Sequence, residues 1–424
     1  MDEDRSKEEL EKLLKRMFES GQLNPEDLAK VAGAGLNPGV LGQMFEQVKA
    51  MMSPSDGPVN WELAQKTAIE IATKEQKDAS AVLGSEIQNA FDIAALWLGE
   101  QTEFSNHQPS KQLSRVLWVQ DGLPLFRELS EPVAASMAKA LGENLTQVMP
   151  EELQGMVGPA SQFLKNAGAG MFALQLGQAL GKLSTQVLSS TEIGIPLSQR
   201  PGLIPQNISE FLEGLEIPKS EMLIFLATRE LAISSLYASN RWLRDQIATQ
   251  VREFAAGLKI DTESIQNLAS QVDPSDPSTF NVVIESGALI TPRTEEQEAA
   301  LSRIETVLAL IEGWADAISF AAAGRLPAIN QVDEIVRRRQ AVGASQKTFA
   351  TLLGLELKPR LQREARAMWE RVVEELGMAR ADQLWGHPDQ LPSQDEITHP
   401  QLLIDRLNNK PDDLDGELRK LLGQ

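Results

Sequence analysis

The amino-acid sequence predicts a mainly α-helical fold that carries a few short strands or extended loops. Aromatic residues make up only 5% of the 424 residues, with a single Tyr, so the core must be built mainly from Leu, Ala, Ile and Val. That composition favours helices. From Asn60 onwards, apolar residues recur at helical spacing in long segments, and Pro, Gly and Asn mark the breaks between them.

Turn-forming residues along the chain predict four regions. Residues 1–52 form a small helical head, in which two Asn-Pro pairs mark the turns. A linker rich in Ser and Pro follows at 53–59 and leads into a helical body at 60–405. Residues 406–424 form a polar, acidic tail. No internal repeat is apparent, so a solenoid is not expected.

Within the body, one helix is unusually apolar and two segments are irregular. The helix contains "LATRELAISSLYASNRWLRDQI" (226–247), and an apolar face there predicts burial. The residues of this face are Met222, Phe225, Leu226, Ile233, Leu236 and Tyr237. The segments "TEIGIPLSQRPGLIPQNI" (191–208) and "DPSDPSTFNVVIESGALITPRT" (273–294) are predicted to be loops or short strands, because Pro, Gly and β-branched residues are frequent in them.

Charge and composition exclude several classes of function. Forty basic and sixty acidic residues give a net charge of −20, which repels phosphate backbones and anionic lipid, so no nucleic-acid partner is expected. The absence of Cys excludes disulfides, thiol nucleophiles and Cys-ligated zinc. The first residues are charged and amphipathic, unlike a secretory signal, and no insertion into a membrane is expected. These features predict a cytoplasmic protein.

Histidine is too scarce for the commonest hydrolytic sites. The three histidines are His107, His387 and His399, and no two of them share a helical face. A His-ligated zinc site or a Ser-His-Asp triad therefore lacks the residues that it needs. All three are predicted to be surface or turn residues.

Two glycines in the body, Gly177 and Gly181, lie four residues apart in a helical segment. Small residues at this spacing allow a second helix to approach closely. A phosphate-binding loop would need a preceding strand and a GxGxxG or P-loop pattern, which this segment lacks. The glycines therefore predict helix packing.

The apolar helix contains the outline of a zinc-peptidase motif. Such helices read His-Glu-x-x-His, in which residues four apart reach one metal ion and the Glu serves as general base. Here the first position is Arg229, the second Glu230 and the fifth Ile233. From the residues alone, Glu230 is interpreted as a buried side chain that pairs with a cation, either Arg229 or Arg241. A catalytic Glu230 is the alternative.

A second pair of acidic residues, Glu312 and Asp316, falls in "LALIEGWADAISF" (308–320). Residues four apart lie on one face of a helix, and this helix is strongly apolar. Because unpaired buried charges are costly, the two carboxylates are expected to have a partner.

Several stretches, in order and spacing, resemble a family of bacterial proteins described as hydrolases or zinc-dependent metalloproteases with a zincin-like fold. The resemblance covers roughly residues 58–405 and leaves the head and the tail outside it. The matching stretches are "NWELAQKTA", "FDIAALWLGE", "MFALQLGQALGKL", "EIGIPL", "FLEGLEIP", "ATRELAISSLYASNRWLRDQI", "ALIEGWADAI", "TFATLLGLELKPR" and "QLWGHPDQLP".

The resemblance implies a role for each position, and this chain departs from it. Arg229 and Ile233 stand where two metal-ligating histidines would be, and Glu230 stands at the general-base position. Glu312 would be the third ligand, with Asp316 and then Ala317 behind it, where the family tends to have Asp and His. Three imidazoles of the metal site are therefore absent together.

These departures predict a protein that has kept the fold and lost the chemistry. Arg cannot ligate a metal and Ile has no donor atom, so no metal or other cofactor is expected. Arg229 is instead expected to face Glu312, and Asp316 as well, as an ion pair that docks two helices. The predicted role is structural, or the binding of a peptide or protein. The alternative is a hydrolase that uses Glu230 with a non-standard zinc site, and a homo-oligomer built on the head also stays open.

Overall fold

The computed structural model of the protein describes residues 57–74, 76–77, 80–148, 157–258, 293–341 and 359–408. The helical head predicted at 1–52 lies outside these residues. So do most of the linker, most of the acidic tail and nearly all of the irregular segment at 273–294.

The prediction of a mainly α-helical fold is confirmed. The helices of the described residues are α1 (Trp61–Thr73), α2 (Ala81–Leu98), α3 (Arg115–Val148), α4 (Val157–Ser184), α5 (Pro205–Leu212), α6 (Lys219–Ser239), α7 (Trp242–Ala256), α8 (Glu295–Ala322), α9 (Ile329–Ala341), α10 (Pro359–Leu376), α11 (Met378–Gln383), α12 (Gln394–Thr398) and α13 (Pro400–Asn408). Two 3₁₀ turns, Leu384–Gly386 and Pro388–Gln390, separate α11 from α12. The strands of the described part are β1 (Lys111–Gln112) and β2 (Gly202–Leu203), which pair in parallel.

The chain divides into two compact units. Among the described residues, the first unit contains 57–71, 127–148, 157–181, 252–258 and 293–297. In this unit α4 crosses α1 at its two glycines: a Cβ atom on Gly177 would lie 2.5 Å from the carbonyl oxygen of Ala64, and one on Gly181 would lie 2.6 Å from Cβ of Ile71. The packing role predicted for these glycines agrees with this contact.

The second unit contains the apolar helix α6, whose predicted buried face is confirmed. The helix begins after Pro218 and ends at Asn240, and it packs along α2 within the unit. In the described part of the chain, α6 is the one helix long and apolar enough to cross a membrane, but 83% of its most apolar window is buried in the protein. A core helix explains both properties, because burial on all sides selects an apolar composition.

A long loop joins α4 to β2 in the second unit, and we call residues 185–201 the 185–201 loop. Ser189 forms an antiparallel bridge with Leu203, and Ser190 N donates to Gly202 O at 2.9 Å. Gly194 lies in a turn with a φ of 79°, a backbone conformation that residues other than Gly rarely adopt. The predicted loop or short strand is found here, except that its last residues, 205–208, begin α5 because Pro205 occupies the first helical turn.

Candidate functional site: two adjacent buried charges on one helix

Arg229 on α6 lies against two carboxylates on α8. Its Nε donates to Asp316 Oδ1 at 3.0 Å, and its Nη2 donates to Glu312 Oε2. Glu312 and Asp316 are four residues apart and therefore lie on the same face of α8. The structure thus contains the pairing that the sequence predicts, in which one guanidinium links two helices.

A third element reaches the same guanidinium. With its amide oxygen directed towards Arg229, Gln340 of α9 accepts from Nε at 2.8 Å. Arg229 is only 6% exposed, so these partners replace the water that would otherwise solvate its charge. The side chain therefore joins α6, α8 and α9 in the interior of the second unit.

The pKa values in this cluster depend on burial and on the presence of two carboxyl groups beside one guanidinium. Burial acts to lower the pKa of Arg229, but the charges of Glu312 and Asp316 outweigh it and hold that pKa above its ordinary value. Burial, together with the charge of Asp316, raises the pKa of Glu312 to about 7 against the opposing effect of Arg229. Two carboxyl groups share one guanidinium, and Glu312 is therefore protonated more easily than an ordinary Glu side chain.

Asp316 is also held by α10, which lies unusually close to α8. Gln362 Nε2 donates to Asp316 Oδ2 at 3.3 Å. The close approach depends on Gly313, where a Cβ atom would lie 2.6 Å from the backbone nitrogen of Arg366. The Gly in "EGWAD" is therefore explained by helix packing next to the charged cluster.

Glu230, the next residue on α6, is surrounded by neutral donors. Its Oε1 accepts from the Ser190 hydroxyl and from Gly202 N at 2.7 Å. Its Oε2 accepts from Thr191 N at 3.1 Å and from Thr191 Oγ1 at 2.6 Å. The expectation that Glu230 pairs with Arg229 or Arg241 is wrong: its partners are two hydroxyls and two backbone amides. Arg229 points instead to Glu312 and Asp316.

The hydrogen bonds of Glu230 occupy both of its oxygens. Each oxygen accepts two bonds, which matches the lone pairs that a carboxylate offers. Burial raises the pKa of Glu230, and the hydroxyls of Ser190 and Thr191 and the amide of Gly202 oppose that rise. In this arrangement Glu230 fastens the 185–201 loop and β2 to α6.

A small pocket lies beside the two charged residues. It is bounded by α6 (Leu226, Arg229 and Glu230), by the 185–201 loop and by α9. Its interior has about 20 Å³ of space for water, enough for one molecule by the usual measure. Apolar side chains, including Leu188 and Val336, make up part of its wall.

The other residues singled out in the sequence lie elsewhere or carry no donor. Ile233 is fully buried on α6, and Ala317 is half-buried on α8. His107, His387 and His399 are all exposed, as predicted, and lie in loops or turns. Among the described residues, no group of three or more His, Cys, Asp or Glu side chains is arranged to hold a metal ion.

Comparison with known proteins places the chain in a family. The sequence model of the family described as "Zincin-like metallopeptidase" matches residues 59–404. The chain belongs to this family. A comparison with functionally curated proteins found no match.

One solved structure resembles this zincin-like chain over most of its length. It is described as "Crystal structure of a putative hydrolase with a novel fold from Chloroflexus aurantiacus". The match covers 83% of this chain and 99% of the other, with a TM-score of 0.56 and 19% sequence identity. At that identity the likeness establishes the shared fold and nothing about the reaction.

The residues at the positions that the sequence resemblance assigns to metal ligands do not suit zinc. Zinc takes His, Cys or carboxylate ligands. Arg229 offers only donors, Ile233 offers no polar atom, and Glu312 already accepts from Arg229. The position between α6 and α8 is thus filled by a guanidinium and its carboxylates.

Several residues around Arg229 and Glu230 were not found by sequence reasoning. They are Ser190, Thr191, Glu192, Gly194, Gly202, Arg339, Gln340 and Gln362. Most lie in the 185–201 loop or at the end of α9, far in sequence from Glu230. The stretch "EIGIPL" carries the family resemblance in this loop, and it was the available signal that the loop lies near the site.

Proposed function

We propose that this chain is a non-catalytic member of the zincin-like family. In it, the ion pair of Arg229 with Glu312 and Asp316 has replaced a metal centre. The contact of Arg229 with both carboxylates carries the proposal. A permanently charged guanidinium cannot share a site with a divalent cation, because the two repel each other and compete for the same oxygens.

The surroundings of Glu230 support the same proposal. A general base needs a lone pair directed at a water molecule within hydrogen-bond reach. Both oxygens of Glu230 are taken by Ser190, Thr191 and Gly202. To act as a base, this carboxylate would first have to give up a bond that fastens the 185–201 loop.

The size of the pocket supports a structural role over turnover of a peptide. A space that holds about one water molecule does not admit a peptide backbone unless the surrounding elements move. We propose that the present role of α6 is to hold the second unit together.

A peptide or protein partner would bind at this pocket when the pocket opens. The net charge of −20 favours such a partner over nucleic acid, in a cytoplasmic setting.

A hydrolase that uses Glu230 with a non-standard metal site is the second candidate. It is favoured by the position of Glu230 in a chain of this family and by the relative that is described as a hydrolase. In this case the protein would carry metal at or near one ion per chain, and Glu230 would be needed for activity.

Metal content and activity of the full-length protein distinguish the two candidates. We expect elemental analysis of the purified protein to give far less than one zinc per chain, and EDTA to leave its melting temperature unchanged. We also expect a peptide library to be cleaved no faster with the wild type than with Glu230→Gln. Stoichiometric zinc together with cleavage that Glu230→Gln abolishes would overturn the proposal.

A further inference from the structure

Arg339 lies across the pocket beside Arg229 and Glu230. It belongs to α9, one residue before Gln340, and its guanidinium donates to Glu192 Oε1 at 2.8 Å. It also donates to the backbone carbonyl of Gln186, and it lies over the ring of Phe211, 5.1 Å from the ring centroid. One side chain thereby connects α9 to the 185–201 loop and to α5.

The 185–201 loop is held on two sides by bonds of different kinds. On its inner side, Ser190 and Thr191 donate to Glu230, which is fully buried. On its outer side, Glu192 accepts from Arg339, and both of these side chains are partly open to water, at 15% and 23% exposure. Water competes for the outer pair and hardly for the inner bonds, so the outer side is the easier one to release.

The neighbouring Arg338 does not make contacts like those of Arg339. The side chain of Arg338 is 79% exposed, and its ion pair among the described residues is with Glu334, one turn earlier on the same helix. Arg339 instead pairs with a residue 147 positions away in sequence. A side chain of this length loses conformational freedom when it is fixed over a pocket, and the three contacts offset that cost.

We infer that Arg339 is a strap that closes the pocket. The pocket opens when Arg339 releases Glu192 and the outer side of the 185–201 loop moves away from α9. Opening exposes the walls formed by Leu226 and Val336 and gives access to Arg229 and Glu230. The inference rests on the contacts of Arg339 and holds whether or not the chain is catalytic.

Hydrogen exchange followed by mass spectrometry on the full-length protein tests this inference. We expect Arg339→Ala to speed exchange by at least about tenfold in peptides that cover residues 186–192, because the outer side of the loop is released. Arg338→Ala is the matched control and should leave these peptides unchanged. Glu192→Gln removes the charge from the other end of the pair while keeping an acceptor for Leu188 N, so it should reproduce the effect of Arg339→Ala.

The location of the change decides the result. Faster exchange that is confined to the 185–201 loop and the end of α9, in both Arg339→Ala and Glu192→Gln, supports the strap. Unchanged exchange in peptides 186–192 would overturn it. A rise of equal size in α2 and α8 would also overturn it, because Arg339 would then support the whole unit instead of closing a pocket.

Discussion

Arg229 and Glu230 are adjacent on one helix, both are buried, and their surroundings are opposite in kind. Arg229 is bound by two acidic side chains and an amide oxygen, which come from α8 and α9. Glu230 is bound by hydroxyls and backbone amides, which come from the 185–201 loop and β2. Successive residues point to different sides of a helix, so α6 presents one charge to other helices and the next charge to a loop.

The comparison separates two ways of keeping a charge in the interior. The positive charge of Arg229 is paired with negatively charged side chains, so the contribution of this cluster to the free energy of unfolding depends on whether Glu312 is ionised. The carboxylate of Glu230 instead accepts hydrogen bonds from four neutral donors. Two of these donors are backbone amides, which a change of pH does not ionise. The first arrangement docks helices, whereas the second fixes the path of a loop. Substitutions on the two sides should therefore differ in size, in location and in their dependence on pH.

The largest effect is expected when the guanidinium is removed. Arg229→Ala leaves Glu312 and Asp316 without their cation, and a broken buried pair costs about 3–5 kcal/mol of the free energy of unfolding. Urea denaturation at pH 8 measures this loss, with the exposed Arg338→Ala as a control that should change stability by less than about 0.5 kcal/mol. A loss below about 1 kcal/mol in Arg229→Ala would show that the ion pair does not hold the helices.

A smaller effect is expected on the other side of α6. Glu230→Gln replaces one acceptor oxygen by an NH₂ group that faces donors, so one backbone amide and one hydroxyl lose their acceptor. Two such losses cost about 2–3 kcal/mol together. Urea denaturation gives the total, and hydrogen exchange at Thr191 and Gly202 locates the loss. Equal exchange at these two amides in both proteins would contradict the assignment of Glu230 as the anchor of the loop.

The dependence on pH should arise mainly on the Arg229 side. The pKa of Glu312 is about 7 in the folded protein against an ordinary value of 4.5. Between these two values the unfolded chain is ionised and the folded chain is still protonated, so the free energy of unfolding falls as pH rises, and the penalty is complete above about pH 7.

Glu312→Gln isolates this contribution, because Gln mimics the protonated acid at every pH. We expect the variant and the wild type to be equally stable near pH 4, and the variant to be more stable by about 3 kcal/mol at pH 8. Denaturation midpoints at a series of pH values provide the measurement. A variant that is less stable than the wild type at pH 8 would mean that the charged form of Glu312 is favoured by folding.

The sequence was sufficient for the helical fold and for one side of this comparison. The spacing of Glu312 and Asp316 on an apolar helix required a partner, and the family resemblance, not the spacing, identified Arg229 as that partner. The partners of Glu230 could not be predicted in the same way, because two of its four donors are backbone amides and every residue except Pro has one. Which amides reach it depends on the path of the 185–201 loop, and local sequence does not determine that path.

Position in the chain also limited what could be predicted around the pocket. Arg339 and Gln340 lie in a run of polar residues, "RRRQ" (337–340), that is typical of a solvated helix face. Arg338 fits that interpretation, whereas its two successors turn towards Glu192 and Arg229. Helical periodicity alone does not reveal which polar side chains on a half-buried face reach a residue more than a hundred positions away.

The smallest effect is expected for Tyr237→Phe, which tests whether the surroundings of Arg229 and those of Glu230 are coupled. Tyr237, two turns after Glu230 on α6, donates its hydroxyl to Gly194 O at 3.0 Å, and Gly194 N donates to Thr191 O at 2.8 Å. Gly194 also packs against Glu312, since a Cβ atom there would lie 3.1 Å from its carboxylate. We expect Tyr237→Phe to cost about 1 kcal/mol, because a buried carbonyl loses its donor.

Double-mutant cycles then show whether the hydrogen bond to Gly194 is coupled to Glu230 or to Glu312. If the loop is fastened mainly by Glu230, Tyr237→Phe combined with Glu230→Gln should be non-additive by at least about 0.5 kcal/mol, because both act on the same loop. Combined with Glu312→Gln at pH 5, where Glu312 is already protonated, the two changes should add. The reverse pattern would mean that the loop is positioned by the charged cluster, and the two surroundings would then have to be treated as one.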